Sequence, residues 1–377
     1  MRRAVLLVVV ALAGCLAAAA FVLRIGGSMP DFEVYRTAGA RAAAGEPLYR
    51  ATDGHYQFKY FPATAFVFVP LAAVPVTAAK AAWFALSVGA LVGLVALSVG
   101  ELPHRAVPSS LLVGAALLSL GKFYARELLL GQINLLVALL AVIGLALLLR
   151  RRDSGAGAAF AAAALLKPYA VVFLPYLLGA RRFRAAAACA MLLAAALAAP
   201  ALVYGTTGNV ELLRAWWDTV TSSTPPLLTN PDNVSIAAMY AKWIGPGPAA
   251  SGMALATSLA LVAAFGAVVR LRHPAVAQPE YLEVALLLTL VVLLAPQGWD
   301  YVLLVSTPAV VLLVNALPRL ERPLQILTVG CLAGAGLTTF DLMGRAAYGR
   351  FMGLSVITCL YAVLVGVLVH LRARRMA

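Results

Sequence analysis

Charge is scarce in this 377-residue chain: Asp, Glu, Lys and Arg make up 12%, against about 25% in soluble domains. With so few charges, 63% hydrophobic residues and a mean hydropathy of +0.93, there is too little polar side chain to cover a water-facing fold. The apolar segments are continuous runs of Ala, Leu and Val rather than alternating ones, which excludes a transmembrane β-barrel. Cysteine is sparser still. Cys15, Cys189, Cys331 and Cys359 lie inside apolar runs without a CxxC pair, so neither a disulfide framework nor a thiolate metal site is indicated. No cluster of His, Asp and Glu has metal-ligand spacing, and neither a metal nor a cofactor is expected. A Gly-rich phosphate loop is missing, which leaves direct use of ATP or a nucleotide sugar unsupported. So is an internal repeat: the stretch 24–61 has no second copy and Gly131-Gln132-Ile133-Asn134 has no partner, which argues against an inverted-repeat transporter.

The remaining fold class is all-α, a polytopic helical membrane protein. Acid is the scarcer sign of charge, 15 Asp and Glu against 29 Lys and Arg, for a net charge of +14. The basic residues gather at the ends of apolar runs: Arg2-Arg3, Arg150-Arg151-Arg152, Arg181-Arg182 with Arg184, Arg270 with Arg272, Arg319 with Arg322, and Arg372 with Arg374-Arg375. That pattern is the positive-inside rule at work, not nucleic-acid binding. Spans are read near 4–23, 79–100, 107–121, 130–150, 155–166, 168–179, 185–203, 249–270, 280–297, 301–317, 323–340 and 351–370, twelve in all. The first is read as a retained helix, not a cleaved signal peptide. Placing Arg2-Arg3 inside then places every basic cluster inside. This holds only if 62–74, short and carrying two prolines, is a re-entrant or interfacial helix in the first outer loop. The polar loops 24–61, 122–129, 204–248, 298–300 and 341–350 fall outside with most of the acids, so any chemistry should face outward.

Asp31 follows Pro30 directly after the first span. That position suits a helix N-cap, and equally a carboxylate held at the membrane surface to accept a proton from a hydroxyl. Glu33 is two residues on. On a helix the two would point about 200° apart, so only one should face a site. Lys167, between two apolar runs, is a cation in a costly place, either snorkelling or binding an anion. Lys59, Arg36, Lys122 and Arg126 are weaker candidates in polar stretches. Gln132 and Asn134 open a span, where they can cap the helix or bind hydroxyls. Trp216-Trp217 and Trp299 can stack on a sugar or mark the interface, and His55 is the one outer histidine.

In this order Asp31-Phe32-x-Val34-Tyr35, Gly45-x-Pro47-Leu48-Tyr49, Tyr60-Phe61-Pro62, Pro70-Leu71, Val74-Pro75, Gly131-Gln132-Ile133-Asn134, Lys167-Pro168, Asn233-Val234-Ser235 and Pro296 to Trp299 resemble glycosyltransferase family 87. These are membrane enzymes of the GT-C class, among them mannosyltransferases. The resemblance covers most of the chain up to Tyr301 and its neighbours and implies a membrane glycosyltransferase. The whole of 1–377 is read as a single integral-membrane domain, in a bacterial plasma membrane from the Ala- and Arg-rich composition, with its active site on the outer side from the placing of the acids. The resemblance also implies a polyprenyl-phosphate-sugar donor, mannose by default, inversion at the anomeric carbon, and a lipid or glycan acceptor. Asp31 would then be the catalytic base. Glu33, Tyr35, Arg36, Lys59, Gln132, Asn134, Lys167, Asn233, Trp299 and Asp300 would bind substrate, with Lys167 on the donor phosphate. The family often carries a His shortly after the Trp of its Ser-Pro-x-Ser-Trp motif. Here Ala295-Pro296-Gln297-Gly298-Trp299-Asp300-Tyr301 has none, which bears on the donor sugar. Another lipid-linked sugar such as arabinose, or a transporter of lipids or sugar-lipids, are the competing expectations.

Overall fold

The computed structural model describes residues 18–273 and 276–376. Most of the first expected span, with Arg2, Arg3 and Cys15, lies outside the described residues. Among them the chain is helical without strands, apart from an isolated antiparallel pairing of Asn233 with Trp299. Helix is what a lipid-facing backbone requires, since every N–H and C=O must be satisfied within the segment.

Four helical stretches are long and apolar enough to cross a membrane: Val76–Gly100, Pro248–Arg270, Asp300–Arg319 and Val356–Ala373. Two bent pairs add to these. Ser109–Leu130 and Asn134–Leu149 meet at 120°, and Phe183–Ala198 and Ala201–Leu227 at 93°, which gives up to six spans if each pair counts as one. Asp153–Leu166 and Pro168–Gly179 are shorter apolar helices. Glu280–Leu294 is buried on all sides from Glu280 to Leu293 and forms the middle of the bundle. Pro248–Arg270 buries little and turns Met253, Leu255, Leu259 and Val262 outward, an apolar face suited to lipid.

The stretch 122–129, read from its charges as an outer loop, is instead the last part of the Ser109–Leu130 helix. Its polar residues find partners within the protein. Lys122 Nζ donates to the Thr338 carbonyl at 2.7 Å, and the fully buried Glu127 accepts from Asn134 and the Leu135 N–H. Much of 204–248 is likewise helical, in Ala201–Ser223 and Ile236–Ile244. The run 62–74 forms two short helices, Pro62–Val67 and Val69–Ala72, each with a proline in its first turn. Gly39 lets the Pro30–Ala43 helix press onto them, since a Cβ there would stand 2.7 Å from the Phe68 carbonyl.

Asp153–Leu166 lies between Asn134–Leu149 and Phe183–Ala198. Its approach to the latter depends on Gly157, where a Cβ would meet the Ala185 carbonyl oxygen at 2.2 Å. Backbone cannot yield as a side chain does, and small residues are what let helices in lipid pack this closely. Gly157→Ala is expected to cost about 1–3 kcal/mol by overpacking, seen as a lower melting temperature in detergent. An unchanged melting temperature would show that this helix pair shifts freely.

Candidate active site

The bend between Ser109–Leu130 and Asn134–Leu149 builds one wall of a cleft. Gly131 adopts φ +69°, where a side chain is strained, and a Cβ on it would come within 2.8 Å of Phe32 Cβ. Trp83 Nε1 donates to the Gly131 carbonyl at 2.9 Å. The turn therefore lies directly against the start of the Pro30–Ala43 helix, and Gln132 comes to face Asp31 and Tyr35. The break at Lys167, extended at φ −146° and ψ 116° between Leu166 and Pro168, supplies the second wall. Trp216, the stretch from His55 to Tyr60 and the segment Ala295–Trp299 add further lining. The cleft encloses about 420 Å³.

Six of the eleven residues that the resemblance implies line it: Asp31, Tyr35, Lys59, Gln132, Lys167 and Trp299. Asp31 is the single carboxylate among the lining residues, against Lys59, Arg126 and Lys167. It does not cap its helix, whose N-cap is Met29 in the left-handed conformation with no side-chain cap bond. Burial raises the pKa of Asp31 above the ordinary aspartate value, while Gln132, Lys167, His55 and Arg126 act against that rise. Burial lowers the Lys59 pKa, opposed by the charge on Asp31.

Lys167 is held by more than charge. Its Nζ donates to Asn134 Oδ1 at 2.9 Å and Gln132 Oε1 at 3.3 Å, and lies 5.5 Å from the Tyr60 ring and 5.9 Å from that of Tyr169. An ammonium has three donors, so one remains for a ligand. Gln132 is fixed from several directions. Its Oε1 also accepts from Tyr35 Oη at 2.8 Å, its Nε2 donates to Tyr301 Oη at 3.2 Å, and Tyr35 Oη pairs with Tyr60 Oη at 2.7 Å.

The other candidates stand behind or beside the cleft. Asn134 supports Lys167 from below and accepts from Tyr169 Oη at 3.1 Å. Glu33 forms an ion pair with Lys80 at 2.8 Å, and Arg36 donates to the carbonyls of Ala72 and Val74. Asn233 donates to the Pro296 carbonyl at 2.8 Å and the Leu227 carbonyl at 3.2 Å, tying down the Trp299 wall. The buried Asp300 pairs with Arg126 at 2.9 Å, and Arg126 also reaches Asp232 at 2.7 Å. Of the weaker candidates, Arg126, Trp216 and His55 line the cleft as well, whereas Trp217 is exposed. Glu127 went unread as a site residue. Its Oε2 accepts a hydrogen bond from Asn134 Nδ2 at 2.8 Å, which turns Asn134 Oδ1 toward Lys167. The signal was there in an acid seven residues ahead of a span-opening Asn, because a buried carboxylate demands a nearby donor. Among the described residues, no three His, Cys, Asp or Glu side chains stand together as metal ligands.

The sequence profile of glycosyltransferase family 87 matches residues 58–307, well over half the chain. The chain belongs to this family. The matched region carries Lys59, Arg126, Gln132, Lys167 and Trp299 of the cleft, while Asp31 lies upstream of it. No curated protein and no solved structure matches the chain. A glycosyltransferase of the membrane is therefore the setting in which the cleft has to be understood.

Proposed function

We propose that this glycosyltransferase moves mannose from a polyprenyl-phosphate donor to an acceptor hydroxyl at the outer face of a bacterial plasma membrane, inverting the anomeric centre. The observation that carries this reading is the solitary Asp31 carboxylate in a cleft that also presents three cations, Lys59, Arg126 and Lys167, and the rings of Trp216 and Trp299. The donor brings its own leaving group, so the protein needs a base, a phosphate partner and a shaped, water-poor cleft. As the acceptor oxygen bonds to the anomeric carbon, its proton passes to Asp31 and the carbon–oxygen bond to the phosphate breaks. Lys167 offers its remaining N–H to the departing phosphate. Trp299 and Trp216 offer faces for sugar rings, and Gln132 and Lys59 polar contacts. Asn134 and Glu127 act through Lys167, and Asn233 through Trp299. Membranes supplied with radiolabelled polyprenyl-phosphate-mannose are expected to pass the label to an extractable acceptor. Labelling only from the arabinose donor would move the enzyme to a different sugar.

The whole chain acts, in this reading, as one integral-membrane domain of twelve spans, with 62–74 re-entrant and both ends inside. Reporter fusions after residues 50, 220 and 345 should report outside, and those after 152, 184, 272 and 322 inside. A fusion after residue 104 reporting outside would mean that 62–74 crosses, and would reverse every later assignment.

A further inference from the structure

A second cavity lies at the far end of the bundle. Asn134–Leu149 begins under Lys167 and ends at it, Glu280–Leu294 begins at it and ends beside Val291 and Val292 of the cleft, and 168–179 joins Pro168 of the cleft to Ala180 of the cavity. Helices of 15 and 16 residues span about 22–24 Å at 1.5 Å per residue, so the two cavities lie at opposite ends of these helices. This one encloses about 460 Å³ and is lined by four arginines, Arg151, Arg181, Arg182 and Arg272.

Two of the four are already neutralised. Arg182 pairs with Glu280 at 2.6 Å and lies 3.6 Å from Asp153, and Arg272 pairs with Glu283 and lies 3.7 Å from Glu280. Buried Arg372 also reaches Glu283, at 3.3 Å, so three carboxylates meet three arginines. Arg151 and Arg181 are exposed and bring charge that no carboxylate among the described residues balances. The backbone adds an independent observation. Six non-glycine described residues have left-handed φ, and three of them, Arg151, Arg181 and Gln278, line this one cavity. At both arginines the chain closes a helix with the turn in which glycine is the usual residue. Keeping an arginine there spends conformational energy, and such strain gathers at ligand sites.

We infer that this cavity binds a phosphate group, held by Arg151 and Arg181 with Arg182 and Arg272 behind them. Guanidinium forks fit phosphate oxygens in pairs, and basic pockets between membrane helices at the inner face take anionic head groups. The inner placement rests on the topology proposed above, but binding in detergent does not. The purified protein is titrated with phosphatidylglycerol, phosphatidylcholine and inorganic phosphate while its melting temperature is followed. Phosphatidylglycerol should give a saturable rise that phosphatidylcholine does not. An equal rise from inorganic phosphate alone would support the site with a soluble phosphate as its source. The variant Arg151→Gly with Arg181→Gly should melt higher without ligand, because the strain is relieved, yet bind at least tenfold more weakly. An equal response from this variant, or from phosphatidylcholine, would overturn the inference. Arg151→Gln with Arg181→Gln, which keeps the strain, should also lose binding, and full binding by that variant would overturn it as well.

Discussion

Asp31→Asn is expected to lower kcat by about 100-fold or more, the usual contribution of a general base, while donor binding and folding persist. Asparagine keeps the size of aspartate and its hydrogen bonding but cannot take the acceptor's proton. The neighbouring carboxylate does not substitute for it: Glu33 is engaged with Lys80 and does not line the cleft. Glu33→Gln should accordingly cost far less in kcat. The pH profile adds a second measurement. A base must be ionised to act, and burial raises the Asp31 pKa above its ordinary value of 3.8. Activity should therefore fail on the acid side at a higher pH than a solvated aspartate would dictate, and that limb should disappear in the residual activity of Asp31→Asn. More than a tenth of wild-type turnover in the variant would remove Asp31 from the reaction and make Asp300 the next residue to test.

Lys167→Gln should act on binding instead. A charge-assisted hydrogen bond is worth roughly 1.5–3 kcal/mol, a factor of about 10 to 150. The Michaelis constant for the lipid donor should rise by that factor with a smaller change in kcat. The fold around Lys167 should tolerate the change, because glutamine still donates from its amide and Asn134 Oδ1 keeps the Tyr169 hydroxyl. A normal melting temperature together with an unchanged Michaelis constant would leave Lys167 as a cation that merely reaches the membrane surface.

Both residues were legible in the sequence for physical reasons. A lysine followed by proline between two apolar runs marks a helix break with a charge at it, and the structure has that break at Lys167. An acid two residues before another on a helix leaves only one facing a cleft, and Asp31 and Glu33 divide that way. The partnerships were not legible. Arg126 meets Asp232 across 106 residues and Asp300 across 174, distances at which no local pattern reports a contact. The same blindness made 122–129 look like a loop: its charges suggested water, whereas Thr338, Asn134 and Asp300 were waiting inside the bundle. Span counting met a related limit. Apolar run length alone does not say where a helix bends, as at Gly131 and between Phe183–Ala198 and Ala201–Leu227.

The pairing of Asn233 with Trp299 has a mechanical side. The Val234 N–H donates to the Gly298 carbonyl at 2.7 Å, the Asp300 N–H donates to the Asp232 carbonyl at 2.9 Å, and Asn233 itself clasps Pro296. Two stretches far apart in the chain are thus riveted at successive points, so Trp299 cannot tilt without carrying residues 232–234 with it. Ser235, next in line, caps the Ile236–Ile244 helix, and Lys242 on that helix grips the Asn233 carbonyl at 2.6 Å. Wall, rivet and helix make one lever. Under the proposed function, a sugar ring settling on Trp299 would be felt at Lys242, and a tug on that helix would tilt the Trp299 ring.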